Sequence, residues 1–148
     1  MAKILVLHGP NLNRLGIREP EYYGSETLAD INRRLVDSGE KWGCEVHVFQ
    51  SNIEGELINQ LHAAEGIYDA IIFNPGAYTH YSYALFDAVQ AITVPVIEVH
   101  ISNIHTRETF RHTSVIAPAC RGQIVGFGSL SYDLALDAVR RWMEGDKK

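Results

Sequence analysis

The period of the hydrophobic positions switches back and forth along the chain. Lys3–His8 (KILVLH) is a short aliphatic run that stops at Gly9-Pro10, the mark of a strand entering a turn. Beyond a polar loop, Thr27 with Asp30 three places on has the form of a capping box. Leu28, Ile31, Leu35 and Trp42 then recur at helical spacing up to Gly43. Cys44–Gln50 reads as a strand, and Glu54–Glu65 as a helix with Leu57, Ile58, Leu61 and Ala64 on one face, ending before Gly66. Asp69–Asn74 (DAIIFN) is apolar almost throughout, which suits a strand covered on both faces. The pattern further predicts a helix over His80–Ala91, strands over Val94–Ile101 and Gln123–Phe127, and a last helix over Asp133–Met143. Leu134, Leu136, Ala138, Val139 and Trp142 form the apolar set of that last helix.

Strands and helices that alternate without repeats or a linker predict an α/β fold. The expected architecture is a doubly wound, five-stranded parallel sheet of flavodoxin-like order in a three-layer α/β/α arrangement. The 148 residues suit a single domain over 1–148, long enough to remove roughly 70% of the unfolded surface from water. Ligands of such sheets bind beyond the carboxyl ends of the strands. The segments that fall there are GPNLNRLG after the first strand, NPGAYTH after the third and EVHISNIHTRETFR at and after the fourth. Two stretches break the rhythm. Asn11–Ser25 has the length of a lid or binding loop, with the lid itself at about 17–25. It carries Arg14, Arg18, Tyr22 and Tyr23, with Gly16 and Gly24 as joints. In Ser102–Thr113, Arg107 and Arg111 sit four apart and would project from one side of a helix.

Composition narrows the partners. Hydrophobic residues make up 46% and charged residues 21%, an ordinary globular balance. Eighteen acids against thirteen bases leave a net charge of -5, so no overall field draws in nucleic acid or anionic lipid. No apolar run approaches the roughly 20 residues of a membrane helix, and MAKILVLHGPN lacks the long apolar region of a signal peptide. Cys44 and Cys120 stand far apart with no CxxC, which predicts reduced thiols and a cytoplasmic location.

Candidate chemistry gathers at the strand ends. Four of the seven histidines fall between 80 and 112, so a metal site built on His80, His100 and His105 is one reading, although no HExxH or similar compact ligand pattern supports it. His100 lies two residues after Glu98, and alternate strand residues share a face. A carboxylate beside an imidazole is the pairing a general acid needs, or else a plain polar cap on a strand end. Tyr23 and Arg18 form a second pair: a phenol titrates near 10, and a close guanidinium in a dry pocket brings it toward the range of a useful base, unless both only cover a ligand. GFGSLSYD, from Gly126, lacks the third glycine of a dinucleotide fingerprint and follows the wrong strand, and no serine sits in a GxSxG elbow. Asn11, Asn74 and Ser102 with Arg111 describe a pocket for a small, oxygen-rich anion. From the residues alone, an acid–base enzyme on such an anion, a flavin-binding or signalling module and a metal hydrolase all stay open.

Taken together, GPNLNRLG (9–16), REPEYYG (18–24), NPGAYTH (74–80), EVHISNIHTRETFR (98–111) and GFGSLSY (126–132) resemble the type II 3-dehydroquinate dehydratase (type II dehydroquinase) family over nearly the whole chain. The resemblance implies a flavodoxin-like enzyme that removes water from 3-dehydroquinate to give 3-dehydroshikimate through an enolate, a step of the shikimate pathway and aromatic amino acid biosynthesis. It implies neither a metal nor an organic cofactor. By the same resemblance Tyr23 is the base, Arg18 the lid arginine that lowers its pKa, and Asn11 the holder of a water that donates to the enolate oxygen. His100 is the acid on the departing hydroxyl, oriented by Glu98. Asn74, Ile101 and Ser102 form the carboxylate site; His80, Arg111 and Asp87 contact the ring hydroxyls; Arg107 supports the lid. Family members build homododecamers from trimers, with the aspartate matching Asp87 reaching a neighbouring subunit's site. Two phenols are adjacent here, and the position next to Gly24 in the motif selects Tyr23 over Tyr22.

Overall fold

The parallel strands anticipated from the apolar runs are β1 (Ala2–His8), β2 (Cys44–Gln50), β3 (Ala70–Asn74), β4 (Val96–His100) and β5 (Gly122–Val125) in a computed structural model that describes residues 1–17, 21 and 25–145. They form one five-stranded sheet in the order β2-β1-β3-β4-β5, with every pairing parallel. The crossovers from β1 to β2, from β2 to β3 and from β3 to β4 each carry an α-helix, as parallel connections usually do, whereas that from β4 to β5 carries only 3-10 turns. The helices are α1 (Leu28–Trp42), α2 (Glu54–Ala63), α3 (Tyr83–Gln90) and α4 (Leu130–Glu144).

The pleat of β1 shows how the two cores are divided. Ile4 and Val6 point to one face and pack with Ile31 and Leu35 of α1 and Leu136 and Val139 of α4. Leu5 and Leu7 point to the other and pack with Leu57 and Leu61 of α2 and Leu85 and Val89 of α3. Every residue of β3 and β4 is buried, as strands covered on both faces must be. The capping box at the start of α1 is formed: the Thr27 hydroxyl accepts from the Asp30 N–H at 3.2 Å, and the Asp30 carboxylate accepts from the Thr27 N–H at 3.1 Å. Gly43 closes the helix in the left-handed region, at φ 75°.

Several boundaries differ from the sequence reading, each for a local reason. The helix expected from His80 begins at Tyr83, because the Ser82 hydroxyl accepts from the Leu85 N–H at 3.0 Å and so caps a new helix. Gly76–His80 is a separate 3-10 turn. Ser102–Thr113 is not one helix but two 3-10 turns, Ile104–Thr106 and Thr109–Arg111; the Asn103 side chain accepts from the His105 N–H at 3.1 Å and holds the first. The β4 ladder starts at Val96, after Pro95, which has no N–H to donate. β5 runs from Gly122 and stops before Gly126, whose φ is +94°. α4 starts at Leu130, and its buried stripe is Tyr132, Ala135, Leu136 and Val139; Leu134 and Ala138 face outward. The stripe keeps helical spacing, but an amphipathic tyrosine anchors it where a leucine was expected.

Both cysteines are free thiols. Among the described residues no helix is long and apolar enough to cross a membrane.

Candidate active site

Parallel register brings the functional strand ends to one level. His8 on β1 lies beside Asn74 on β3, and Phe73 on β3 lies beside Glu98 on β4. The loops that follow enclose a cleft at this carboxyl edge. From the loop after β1, the cleft takes Asn11; from β3 and its turn, Asn74 and His80. From β4 and the segment beyond it come His100, Ile101, Ser102, Arg107 and Arg111. Glu98 sits behind the wall, fully buried. Asp87 is exposed on α3 and does not line this chain's own cleft. Arg18, Tyr22 and Tyr23 lie outside the described residues.

The first two loops touch closely enough to demand particular residues. The Gly9 N–H donates to the Asn74 carbonyl at 2.7 Å, and a Cβ on Gly9 would meet the Pro75 carbonyl carbon and oxygen at 2.6 Å. Among the described residues Asn11 alone of the non-glycines has a positive φ, 69°, a conformation asparagine tolerates better than most. Its N–H donates to Asn52 Oδ1 at 2.9 Å, which holds the turn and leaves the carboxamide at the cleft.

Glu98 and His100 share one face of β4, and the imidazole Nε2 lies 2.5 Å from a carboxylate oxygen of Glu98. The same carboxylate accepts from the Thr79 hydroxyl and from the Ser114 hydroxyl, the latter at 2.8 Å. A buried carboxylate is tolerable only with such partners. Burial pushes the Glu98 pKa up, but the bond and charge of His100 and the two hydroxyls outweigh it and hold the group below the ordinary carboxylate value. His100 itself is 5% exposed and reaches the cleft.

The Thr113 carbonyl can only accept, so His80 donates to it from Nδ1 at 2.8 Å, which leaves Nε2 of the neutral ring as an acceptor. Burial lowers its pKa, with the neighbouring His100 and Arg111 adding to the effect against the Thr113 bond. Arg111 donates to Glu108 at 3.2 Å and lies 4.7 Å over the Phe110 ring. The Arg107 side chain is 6% exposed, with Nε 3.8 Å from Glu108. Two guanidinium groups, neutral carboxamide donors and an imidazole braced by a buried carboxylate can hold a small anion and exchange a proton with it.

Some supporting residues had no motif to betray them. Thr79 and Ser114 became partners of Glu98 only through folding. His8 and Tyr132 form a buried pair behind Asn74, with Nδ1 and the hydroxyl 2.9 Å apart. The one available signal for His8 was its place at the mouth end of a buried strand, the same feature that singled out His100. Among the described residues no group of three or more His, Cys, Asp or Glu is placed to hold a metal ion, and His105 stands outside the cleft.

A 2-1-3-4-5 parallel sheet with this cleft at its carboxyl edge defines a flavodoxin-like α/β protein with an acid–base site. The family described as "Dehydroquinase class II" matches residues 2–140. The 3-dehydroquinate dehydratase of Anoxybacillus flavithermus is 57% identical over 148 residues, the whole of both chains, and that of Halalkalibacterium halodurans is 55% identical over the same span. The crystal structure of the type II dehydroquinase from Butyrivibrio crossotus is similar at a TM-score of 0.91 and 47% identity, covering 93% of this chain and 97% of that one. That from Propionibacterium acnes is similar at 0.92 and 42%, covering 95% and 97%. The chain belongs to the class II dehydroquinase family.

Proposed function

We propose that this chain removes water from 3-dehydroquinate to give 3-dehydroshikimate, a step of the shikimate pathway. The observation that carries the reading is the buried Glu98 carboxylate 2.5 Å from His100 Nε2, behind the wall of a cleft that also takes Asn11, Asn74, His80, Ser102 and Arg111. The reaction needs a base for a weakly acidic hydrogen alpha to a ketone, a donor at the enolate oxygen and an acid for the hydroxyl that leaves. Tyr23 serves as the base, and Arg18 of the same lid segment, 17–25, lowers its pKa. Asn11 holds the water that donates to the developing oxygen. His100 protonates the departing hydroxyl, so that the abstracted hydrogen and the hydroxyl leave the substrate as the elements of water.

Asn74, the backbone of Ile101 and Ser102, and the Ser102 hydroxyl receive the carboxylate. His80 and Arg111 contact the ring hydroxyls, for which the Nε2 lone pair of His80 is suited. Arg107 supports the lid. Asp87, exposed on α3, acts in the site of a neighbouring subunit, within trimers that assemble into a homododecamer. Residues 1–148 act as one catalytic domain, in the cytoplasm. The test is to add 3-dehydroquinate to purified protein in excess EDTA and follow the enone absorbance of the product in the ultraviolet. A rise at catalytic protein concentration is expected; no rise overturns the proposal.

A further inference from the structure

Behind the cleft wall a buried polar chain runs from Asn74 to α1, and its further members, Tyr132, His8 and Asn32, have no part in the chemistry just described. The Asn74 carboxamide is pinned at both ends: Oδ1 accepts from the Gly76 backbone N–H at 3.0 Å, and Nδ2 donates to the Tyr132 hydroxyl at 3.0 Å. A backbone amide can only donate, so Gly76 dictates which end of the carboxamide is oxygen. Tyr132, already accepting from Asn74, has its own proton left for His8 Nδ1 at 2.9 Å. That nitrogen must then offer a lone pair, which places the imidazole proton on Nε2, donating to Asn32 Oδ1 at 2.8 Å. In this direction each of the four bonds joins a donor to an acceptor. In the reverse direction Nδ2 would face the Gly76 N–H.

His8 and Tyr132 are both fully buried, where a mismatched polar group is strongly destabilising. Burial holds His8 neutral, as this direction requires, its pKa lowered from 6.5 to about 4 against the opposing Asn32 bond. Asn74 gives one of its two amide hydrogens to Tyr132, and the other stays available at the cleft it lines. A carboxamide turned the other way would present its oxygen to an anion and repel it.

We infer that Tyr132 and His8 are positioning residues for Asn74, holding its carboxamide so that an N–H, not the carbonyl oxygen, meets the substrate carboxylate. This rests on the reading of Asn74 as part of the carboxylate site. The carboxylate is attached to the carbon that loses its hydroxyl, but it keeps its charge and takes no part in the bonds that break, so loosening its partner raises KM more than it lowers kcat.

Tyr132→Phe is therefore expected to raise KM for 3-dehydroquinate about tenfold, the scale of one hydrogen bond to a charged group, and to lower kcat by clearly less than that. In an Asn74→Ala background the same substitution should change KM by less than about twofold, because Tyr132 acts only through Asn74. A merely structural tyrosine would weaken the fold equally in both backgrounds without that dependence. Long-range proton–nitrogen NMR on the unaltered protein reads the His8 tautomer directly, and the proton is expected on Nε2. A proton on Nδ1, an unchanged KM in folded Tyr132→Phe, or an undiminished effect in the Asn74→Ala background each overturns the inference. Should Tyr132→Phe not fold, the tautomer decides alone. Failure here, with an active unaltered enzyme, refutes only the positioning role; an inactive unaltered enzyme refutes the functional reading and this role with it.

Discussion

Replacing Glu98 by Gln keeps the shape of the side chain and removes its charge. The carboxylate now receives the Thr79 hydroxyl, the Ser114 hydroxyl and His100 Nε2, and an amide of the same outline keeps only one oxygen for all of them. The hydroxyls can turn and accept from the new NH₂ group; the protonated imidazole of a general acid cannot. The substitution therefore strikes chiefly at the bond to His100. A hydrogen bond to a charged group contributes about 1.5–3 kcal/mol, and with 1.36 kcal/mol per decade of rate this corresponds to a kcat lowered about 10–150-fold. Removing the proposed acid, by His100→Ala, should lower kcat by something like 10²–10⁴-fold. Because Glu98 works through His100, the double variant should be no slower than His100→Ala alone by more than about twofold. The enone absorbance gives initial rates for all three proteins, and far-ultraviolet circular dichroism confirms that each is folded. A Glu98→Gln enzyme with near-normal kcat, or losses that multiply in the double variant, would refute the assignment.

Tyr23→Phe should lower kcat about 10²–10⁴-fold in a folded protein; if Tyr22→Phe does so instead, the base is the preceding phenol. Acid should destabilise the fold in two stages. With a folded pKa of about 4 against 6.5, His8 is neutral in both states above 6.5; as pH falls only the unfolded chain takes up its proton, and about 3 kcal/mol is lost by the time pH reaches about 4. Glu98, depressed in the folded state, contributes stability above 4.5 that is lost as pH falls through its lower folded value. Urea midpoints measured across this range should fall steadily from 6.5 downward, and a flat profile between 6.5 and 4 would refute the first stage. Gly9→Ala places a Cβ 2.6 Å from the Pro75 carbonyl, and should cost about 1–3 kcal/mol in a urea or thermal melt; a melt unchanged from that of the unaltered protein would show that the two loops can separate freely.

The architecture was legible in the chain because a helix and a strand impose different periods on their buried side chains, and those periods are local. DAIIFN announced a doubly covered strand, Thr27 with Asp30 announced the start of α1, and both are present at those positions. The same locality made the Glu98–His100 pair readable, since residues two apart on a strand must share a face. The helix boundary at Tyr83 escaped for a related reason: a single serine cap outcompetes an apolar pattern that runs on through it.

The contacts that complete the site obey no local period. Tyr132 meets His8 across 124 positions and Asn74 across 58, and Thr79 and Ser114 converge on Glu98 from 19 and 16 positions away. Whether a buried hydroxyl finds a partner depends on where parallel register and helix packing deliver it. A tyrosine on a helical stripe looks like any other core residue until the opposite strand end supplies a nitrogen and an amide. Spacing along the chain thus specified the elements, their order and the Glu98–His100 pair, which lies within a single strand. Packing alone chose the second layer of hydrogen bonds, because those partners are neighbours in space and strangers in sequence.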